Sequence, residues 1–381
     1  MLITHLRRSK NKLVRAFKYG NLRINHIISN NSLALQVWLI LLKIYDKWFN
    51  ENKIMNLIDE TIKTFTTVDG KEKSTLRNAI LRCREVNLIS PDEYFLYNFA
   101  NLTEEERHKF VGNHEKVALC FEIKNNSTWM LFINKYQTYL KFKDFFHREV
   151  IKISSIENKN DFFNFFEKHD RGILKPADSS LGRGVTLLDK SQAVNMWNDK
   201  LSSEIASGAS FILEEYIRQS EKMALFNPDS VNTVRLATYR LHDETIFLFA
   251  ALRTGIKGQI VDNGGAGGLT ATIDLETGTV ISNARNRFGK FFEKHPDTNV
   301  VFKGFQLPEW EKLRQLGKAL SLVEPEQLYV GWDLAHTDNG WVMIEGNNRG
   351  QFVLTQRSSL VGLRDKINAT FYQTLKERAK A

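Results

Sequence analysis

Three oxygen-bearing side chains near the C-terminus carry the first chemical signal. In VGWDLAHTDNGWVMIEGNNRGQF, residues 330–352, Asp333 lies in one apolar run, and Glu345 and Asn347 lie in the next. The stretch HTDNG separates the runs, which predicts a β-hairpin with Asn339-Gly340 as its turn. Residues two apart on a strand share a face, so Glu345 and Asn347 point the same way. Pairing across the turn brings Asp333 close to Glu345. Two carboxylates and an amide oxygen make an all-oxygen set suited to Mg²⁺ or Mn²⁺. A solvated sheet face with incidental polar residues is the competing reading. Against it, like charges opposite one another on a hairpin repel unless a cation or base lies between them.

Four further stretches could do chemistry with anions. In ILKPADSSLGRGV (173–185), Lys175 ends a strand and a loop of small residues follows. Backbone N–H groups in such a loop can approach phosphate oxygens closely, with the lysine supplying charge. No GxxxxGK[ST] is present, and glycine-rich hairpin turns are common, so a plain turn remains open. FILEEYIRQ (211–219) is an apolar strand ending in Glu214 and Glu215, either a surface edge or ligands for ribose hydroxyls or a base. Arg235 and Arg253 sit inside otherwise apolar strands, where an unpaired guanidinium is costly. They must pair with Asp333 or Glu345, or face an anionic ligand, which the planar guanidinium fork suits. DNGGAGGLTATID (262–274) crowds four glycines together, as a mobile loop or a backbone-rich rim over a substrate.

The elements that must position these residues follow from periodicity. Residues 1 to about 100 read as mainly helical, with apolar spacing of three and four in SLALQVWLILLKIYDKWF and STLRNAILRCREVNLI. Beyond about 110, VALCFEI (117–123) reads as a strand, NKYQTYLKFKDFF as a helix and HREVIKI as a strand. DFFNFFEKH reads as a helix; RGILKP, TLLD and FILEEYI follow as strands. TVRLATYRL and ETIFLFAALRTG form a hairpin through HDE, and residues 360–381 close the chain as one amphipathic helix. Hairpins outnumber βαβ units, so the fold class is α+β.

Composition sets the bounds. The 381 residues allow two or three domains, and 42% hydrophobic with 25% charged residues is ordinary for a globular protein. Cys83 and Cys120 are far apart with no CxxC, which excludes a disulfide scaffold or a cysteine zinc site and fits a reducing compartment. The net charge of +9 is concentrated early, in residues 6–23, where a solvated helix face is the plain reading and contact with an anionic surface the other. Gln36 and Lys43 interrupt the apolar stretch 33–44, which falls short of a bilayer span of roughly 20 residues. A cytoplasmic location is expected, with peripheral contact at the inner face of a membrane through the basic N-terminal region. No nucleic-acid partner is expected.

Taken in order, these pieces resemble the ATP-grasp superfamily of carboxylate–amine ligases over about residues 110–360. INKYQTYLKF, NPDSVNTVRLATY, VDNGGAGGLTATID and VGWDLAHTDNGWVMIEGNN look like its sugar-transfer-associated and teichuronopeptide-biosynthesis-type members. The resemblance implies ATP held between two α+β lobes after a helical N-terminal region, divided as 1–105, 106–213 and 214–381. By position, Lys175 looks like a lysine on the nucleotide phosphates, and Lys135 like the second, with Lys141 a competitor. Residues 178–184, including Ser179, Ser180, Gly182, Arg183 and Gly184, would form a flap over the phosphates. Glu214, Glu215 and Ile217 match the hinge that takes adenine. Asp333, Glu345 and Asn347 match ligands for two Mg²⁺ ions. Arg235 and Arg253 resemble arginines that steady the transferred phosphoryl group, with Arg349 at the substrate mouth and Asn263 on the acceptor side.

The implied reaction is ATP-dependent amide formation through an acyl-phosphate with release of ADP. Its substrates would be a small carboxylate and an amine, with a cell-surface glycan component as an acceptor. A kinase-like phosphotransferase and a non-catalytic nucleotide-binding protein are the alternatives on the same site. Two departures stand out. The N-terminal region does not read as the usual βαβ lobe, and Arg183 stands where many relatives have a small residue.

Overall fold

Apolar residues at i, i+4 and i+8 make the first described helix amphipathic. In α1 (Glu51–Phe65), Ile54, Ile58 and Ile62 are buried. Helix α2 (Gly70–Asn87) buries Ile80 and Cys83, and α3 (Pro91–Leu96) starts with Pro91 in the first turn behind a Ser90–Glu93 capping box. The computed structural model describes residues 51–178, 184–258 and 267–380. The basic run 6–23, the apolar stretch 33–44, and Ser179, Ser180, Gly182, Arg183 and Asn263 lie outside the described residues.

The chain separates into two compact units, residues 1–124 with 351–381, and residues 125–350. In that first unit, 117–123 is helical rather than a strand. Helix α4 (Asn113–Glu122) buries Ala118, Leu119 and Cys120. A short apolar run has no period long enough to separate the two states. Tertiary partners then decide, because Glu115 on α4 accepts from Arg364 and from the Tyr372 hydroxyl at 2.7 Å. The closing helix runs from Arg364 to Lys380, starting four residues later than expected. A separate helix over Val353–Ser359 precedes it and stops at Leu360, which is left-handed at φ 56°.

The second unit holds two antiparallel sheets. The smaller contains β1 (Val150–Ile153), β2 (Arg171–Pro176), β3 (Thr186–Asp189) and β4 (Phe211–Glu215), in the order β1-β4-β2-β3. The larger contains β5 (Thr233–Leu241), β6 (Glu244–Thr254), β7 (Leu269–Ile273), β8 (Ala284–Arg285), β9 (Phe291–Phe292), β10 (Tyr329–Thr337) and β11 (Gly340–Asn347). Its order is β11-β10-β5-β6-β7-β8-β9. Strands β1 to β6, β10 and β11 fall where the sequence predicts them, whereas β7 is a strand in the LTATI part of 262–274, which reads as a loop or rim.

Three helices of this unit matter for the site: α5 (Lys135–Phe142), α6 (Lys159–Lys168) and α7 (Trp310–Val323). One face of the small sheet, with Leu174, Leu188 and Leu213, packs on Phe162, Phe165 and Phe166 of α6. Val150 and Ile212 from its other face share a core with Phe142 of α5, Leu313 and Leu320 of α7, and Val234, Leu236 and Trp332 of the large sheet. This continuous core holds the polar residues of both sheets in register with one another.

Candidate active site

The hairpin that first drew attention has a two-residue turn one position earlier than expected. Thr337 pairs with Gly340, so Asp338 and Asn339 form the turn and Gly340 takes φ 103°. Simple pairing from that turn would set Asp333 opposite Ile344. A β-bulge intervenes: Leu334 pairs with Met343, but Asp333 pairs with Glu345, leaving Ile344 as the extra residue. The bulge thus brings the two carboxylates face to face, as the spacing argument required.

Asp333 is buried and both its oxygens are engaged. Arg235, its partner on β5, donates from Nε to one oxygen and from Nη2 to the other at 2.7 Å. Arg253 on β6 donates to that second oxygen, also at 2.7 Å. Burial alone would push the Asp333 carboxyl up. The charges and hydrogen bonds of the two arginines outweigh it and hold the group well below the usual carboxylate range. Close approach matters here, because a Cβ on Gly331 would lie 3.0 Å from Cδ of Arg235. The glycine leaves room for the arginine stem to cross the strand.

Glu345 and Asn347 sit together on β11, with Nδ2 of Asn347 donating to Glu345 at 3.1 Å. Burial raises the Glu345 pKa, and the charge of Asp333 adds to it. Among the described residues no group of three His, Cys, Asp or Glu side chains is placed to hold a metal ion. The donor chemistry nevertheless fits a hard divalent cation. Two carboxylates held opposite one another, one of them disfavoured as an anion, are an arrangement that such a cation would relieve. Asp333 can take part only by exchanging a hydrogen bond from an arginine.

A second charged cluster lies on the small sheet. Lys175 at the end of β2 donates to Glu214 of β4 at 2.8 Å. Glu214 accepts with its other oxygen from Arg148, at 3.1 Å from Nε and 2.7 Å from Nη2. Burial alone would raise the Glu214 pKa, but Lys175 and Arg148 hold it down at about 2. Glu214 therefore spends both oxygens on cations within the protein rather than on ribose hydroxyls. Glu215 is less buried and accepts from the Glu149 amide at 3.2 Å, and Ile217 lies just beyond the strand.

Arg148 is the residue that sequence reasoning missed. Its Nη1 also donates to the carbonyl of Met343 at 2.6 Å, and Nη2 to that of Ile344 at 3.5 Å. One guanidinium thus joins Glu214 of the small sheet to the bulge next to Glu345. The available signal was the same as for Arg235, an arginine at the edge of an apolar strand, in HREVIKI.

The lysine alternatives separate. Nζ of Lys135 donates to the carbonyl of Pro176 at 3.1 Å, and its backbone N–H to Ala177. Burial lowers its pKa, Glu345 pulls it back up, and Lys175 lowers it again, so it shares an environment with both clusters. Lys141 instead pairs with Glu324 at 3.0 Å on the exposed side of α5. Gly184 takes φ 73° against the ring of Pro176 at the base of the loop after Lys175. Arg349 is exposed and stacks over Trp129, 5.5 Å from the ring centre. The structure thus gathers Lys135, Lys175, Arg235, Arg253, Asp333, Glu345 and Asn347 and sets Lys141 apart.

Two antiparallel sheets, one with a lysine–glutamate–arginine cluster and one with an arginine–aspartate cluster beside a second carboxylate, define an α+β protein of the ATP-grasp fold. The chain belongs to the family described as sugar-transfer associated ATP-grasp, which matches residues 118–371. Among solved structures it is similar to D-cycloserine synthetase DcsG, with 13% identity, 76% of this chain and 93% of that one covered, and a TM-score of 0.41. It is also similar to the ATP-grasp ligase PsnB complexed with minimal precursor (11% identity, 75% and 76% covered, TM-score 0.41). A third is D-alanine–D-alanine ligase from Bacillus anthracis complexed with ATP (14% identity, 65% and 69% covered, TM-score 0.39). The match spans 59% of the D-alanyl-alanine synthetase A of Vibrio cholerae O1 biovar eltor str. N16961 and 52% of the N5-carboxyaminoimidazole ribonucleotide synthetase purK. No curated protein matches the sequence.

Proposed function

We propose that the protein is an ATP-dependent carboxylate–amine ligase that forms an amide through an acyl-phosphate. The observation that carries this reading is Asp333, shared by Arg235 and Arg253 and set directly opposite Glu345. Two arginines that can exchange a carboxylate for a phosphoryl group, beside an oxygen-ligand pair, are what transfer of a γ-phosphoryl group needs. A substrate carboxylate oxygen attacks the γ-phosphorus, the bond to the β-phosphate oxygen breaks, and ADP leaves. The amine nitrogen then attacks the acyl carbon, phosphate departs and the nitrogen loses a proton. Lys135 and Lys175 supply positive charge for the nucleotide phosphates. Arg235 and Arg253 bind the anionic group in transfer and orient it.

Glu345 and Asn347, joined by Asp333, would hold Mg²⁺, which supplies charge neutralisation for the phosphates. Residues 179–183 would contribute to holding the phosphates, and the segment after Glu214 would take the adenine. Asn263 and Arg349 would border the acceptor. The lobes divide at the end of β4, after a helical N-terminal region. The carboxylate and amine would be joined on a cell-surface polysaccharide component, with the amino acid or peptide as the incoming group. The location would be cytoplasmic, at the inner face of a membrane, through the basic N-terminal region. Among the described residues no helix is long and apolar enough to cross a membrane.

Coupled ADP-release assays with amino acids and uronic-acid acceptors, supplemented with hydroxylamine, test the reading. A hydroxamate and ADP are expected, and Glu345→Gln should lose turnover while staying folded. AMP release, or ADP without hydroxamate, would point away from a ligase and, in the second case, toward a phosphotransferase.

A further inference from the structure

The sheet face that carries Asp333 extends across β6, β7, β8 and β9. Directly paired residues of antiparallel strands point to the same face. Thr233 pairs with Arg253, Arg253 with Thr270, Thr270 with Arg285, and Arg285 with Phe291. Arg253 reaches Asp333, so this row lies on the face of Arg235, Asp333 and Glu345. Arg285 is therefore a third arginine on that face, two strands from Arg253, a backbone spacing of about 10 Å.

Its state differs from that of the other two. Among the described residues Arg285 forms no ion pair, and its buried Nε has no hydrogen-bond partner. Arg240 and Arg314 also bury an unpartnered Nε, but their terminal nitrogens are occupied, by the Asp243 carbonyl and by Glu311. Burial lowers the Arg285 pKa, and no carboxylate among the described residues restores it. A half-buried guanidinium left without an anion is a cost that a ligand would remove. Beside it Phe291 is 56% exposed, while Phe292, on the opposite face, packs against the core. One side of this sheet edge thus presents an unmatched cation and a bare aromatic ring together.

We propose that Arg285 and Phe291 form the acceptor end of the site and bind an acidic sugar unit. The guanidinium takes the anionic group, and the phenyl ring packs against the apolar face of the sugar. This inference rests on the ligase reading, in which Arg235 and Arg253 serve the phosphoryl end. It adds a second anion site about 10 Å along the same face and makes the acceptor a charged ring compound.

The test is saturation-transfer NMR on the full chain with Mg-ADP bound, using glucuronate, glucose 6-phosphate and glucose as probes at millimolar concentration. Glucuronate or glucose 6-phosphate should bind about tenfold or more tightly than glucose, and which acid wins identifies the anion as carboxylate or phosphate. Arg285→Ala should lose that preference, Arg285→Lys should keep part of it, and Phe291→Ser should weaken all sugars alike. Mg-ADP affinity, measured for each variant, reports that the fold is intact. If Mg-ADP does not bind the wild type, the ATP reading fails and this inference with it. If Mg-ADP binds normally, three outcomes overturn this inference alone: no binding of either acid, equal binding of glucose and the acids, or an unaltered preference in Arg285→Ala.

Discussion

At Glu214 one buried carboxylate holds two cations that serve different parts of the second unit. Lys175 stands at the end of β2, and Arg148 reaches across to the carbonyls beside Glu345. Arg148→Ala leaves Glu214 paired with Lys175 but strips the donor from its second oxygen and from the Met343 carbonyl, so it should destabilise the protein by about 1–3 kcal/mol in urea unfolding. Arg148→Lys should recover only part, because an ammonium cannot donate in a fork to Glu214 and the carbonyls together. Acid should act on the same cluster. The folded carboxyl titrates at about 2 against an ordinary 4.5, so its contribution is present above pH 4.5 and is lost as pH falls toward 2. The loss is about 3 kcal/mol. Equilibrium unfolding across that range should show it in the wild type and a flatter profile in Glu214→Gln; equal slopes would contradict the assignment.

The hairpin of β10 and β11 is where an element, rather than a residue, sets the chemistry. Every candidate metal ligand belongs to it, and their mutual facing depends on a single inserted residue, Ile344. Arg148 bonds the carbonyls at that bulge, which ties the irregularity to the small sheet. The turn needs Gly340 at φ 103°, a conformation that a β-branched residue does not tolerate. Gly340→Val should therefore cost about 1–3 kcal/mol and lower the melting temperature by several degrees in calorimetry. An unchanged transition would mean that the hairpin is held without its turn.

For the whole molecule, the two compact units carry opposite responses to pH. In the first unit Glu93 of α3 accepts from the Ser90 and Asn113 amides at 2.8 and 2.9 Å and from the Tyr97 hydroxyl at 2.7 Å. Burial raises its pKa to about 7 despite those bonds. The folded form then holds a proton that the unfolded chain has released, so its effect on stability falls as pH rises from about 4.5 to 7. That span is about 3 kcal/mol. Calorimetry at pH 5 and 7.5 should find this unit less stable at the higher pH, and Glu93→Gln should flatten the difference. A unit that gains stability over that interval would show that ionised Glu93 is well solvated or paired.

Much of the candidate site was legible in the linear chain. Lys175, Arg235, Arg253, Asp333, Glu345 and Asn347 are charged or polar residues in or ending apolar strands, and burial makes such residues costly unless they meet a partner. Their order and spacing also carried the family. The strands were legible because period-two alternation is a local property. What only the tertiary structure decided was pairing across long separations: Asp333 with two arginines, Glu214 with Lys175 and Arg148, and α4 with the C-terminal segment. The bulge at Ile344 belongs there too, since a one-residue register shift depends on what each strand packs against. So does Arg285, unmatched among the described residues, because a cation's partners become visible only once the strands around it are paired.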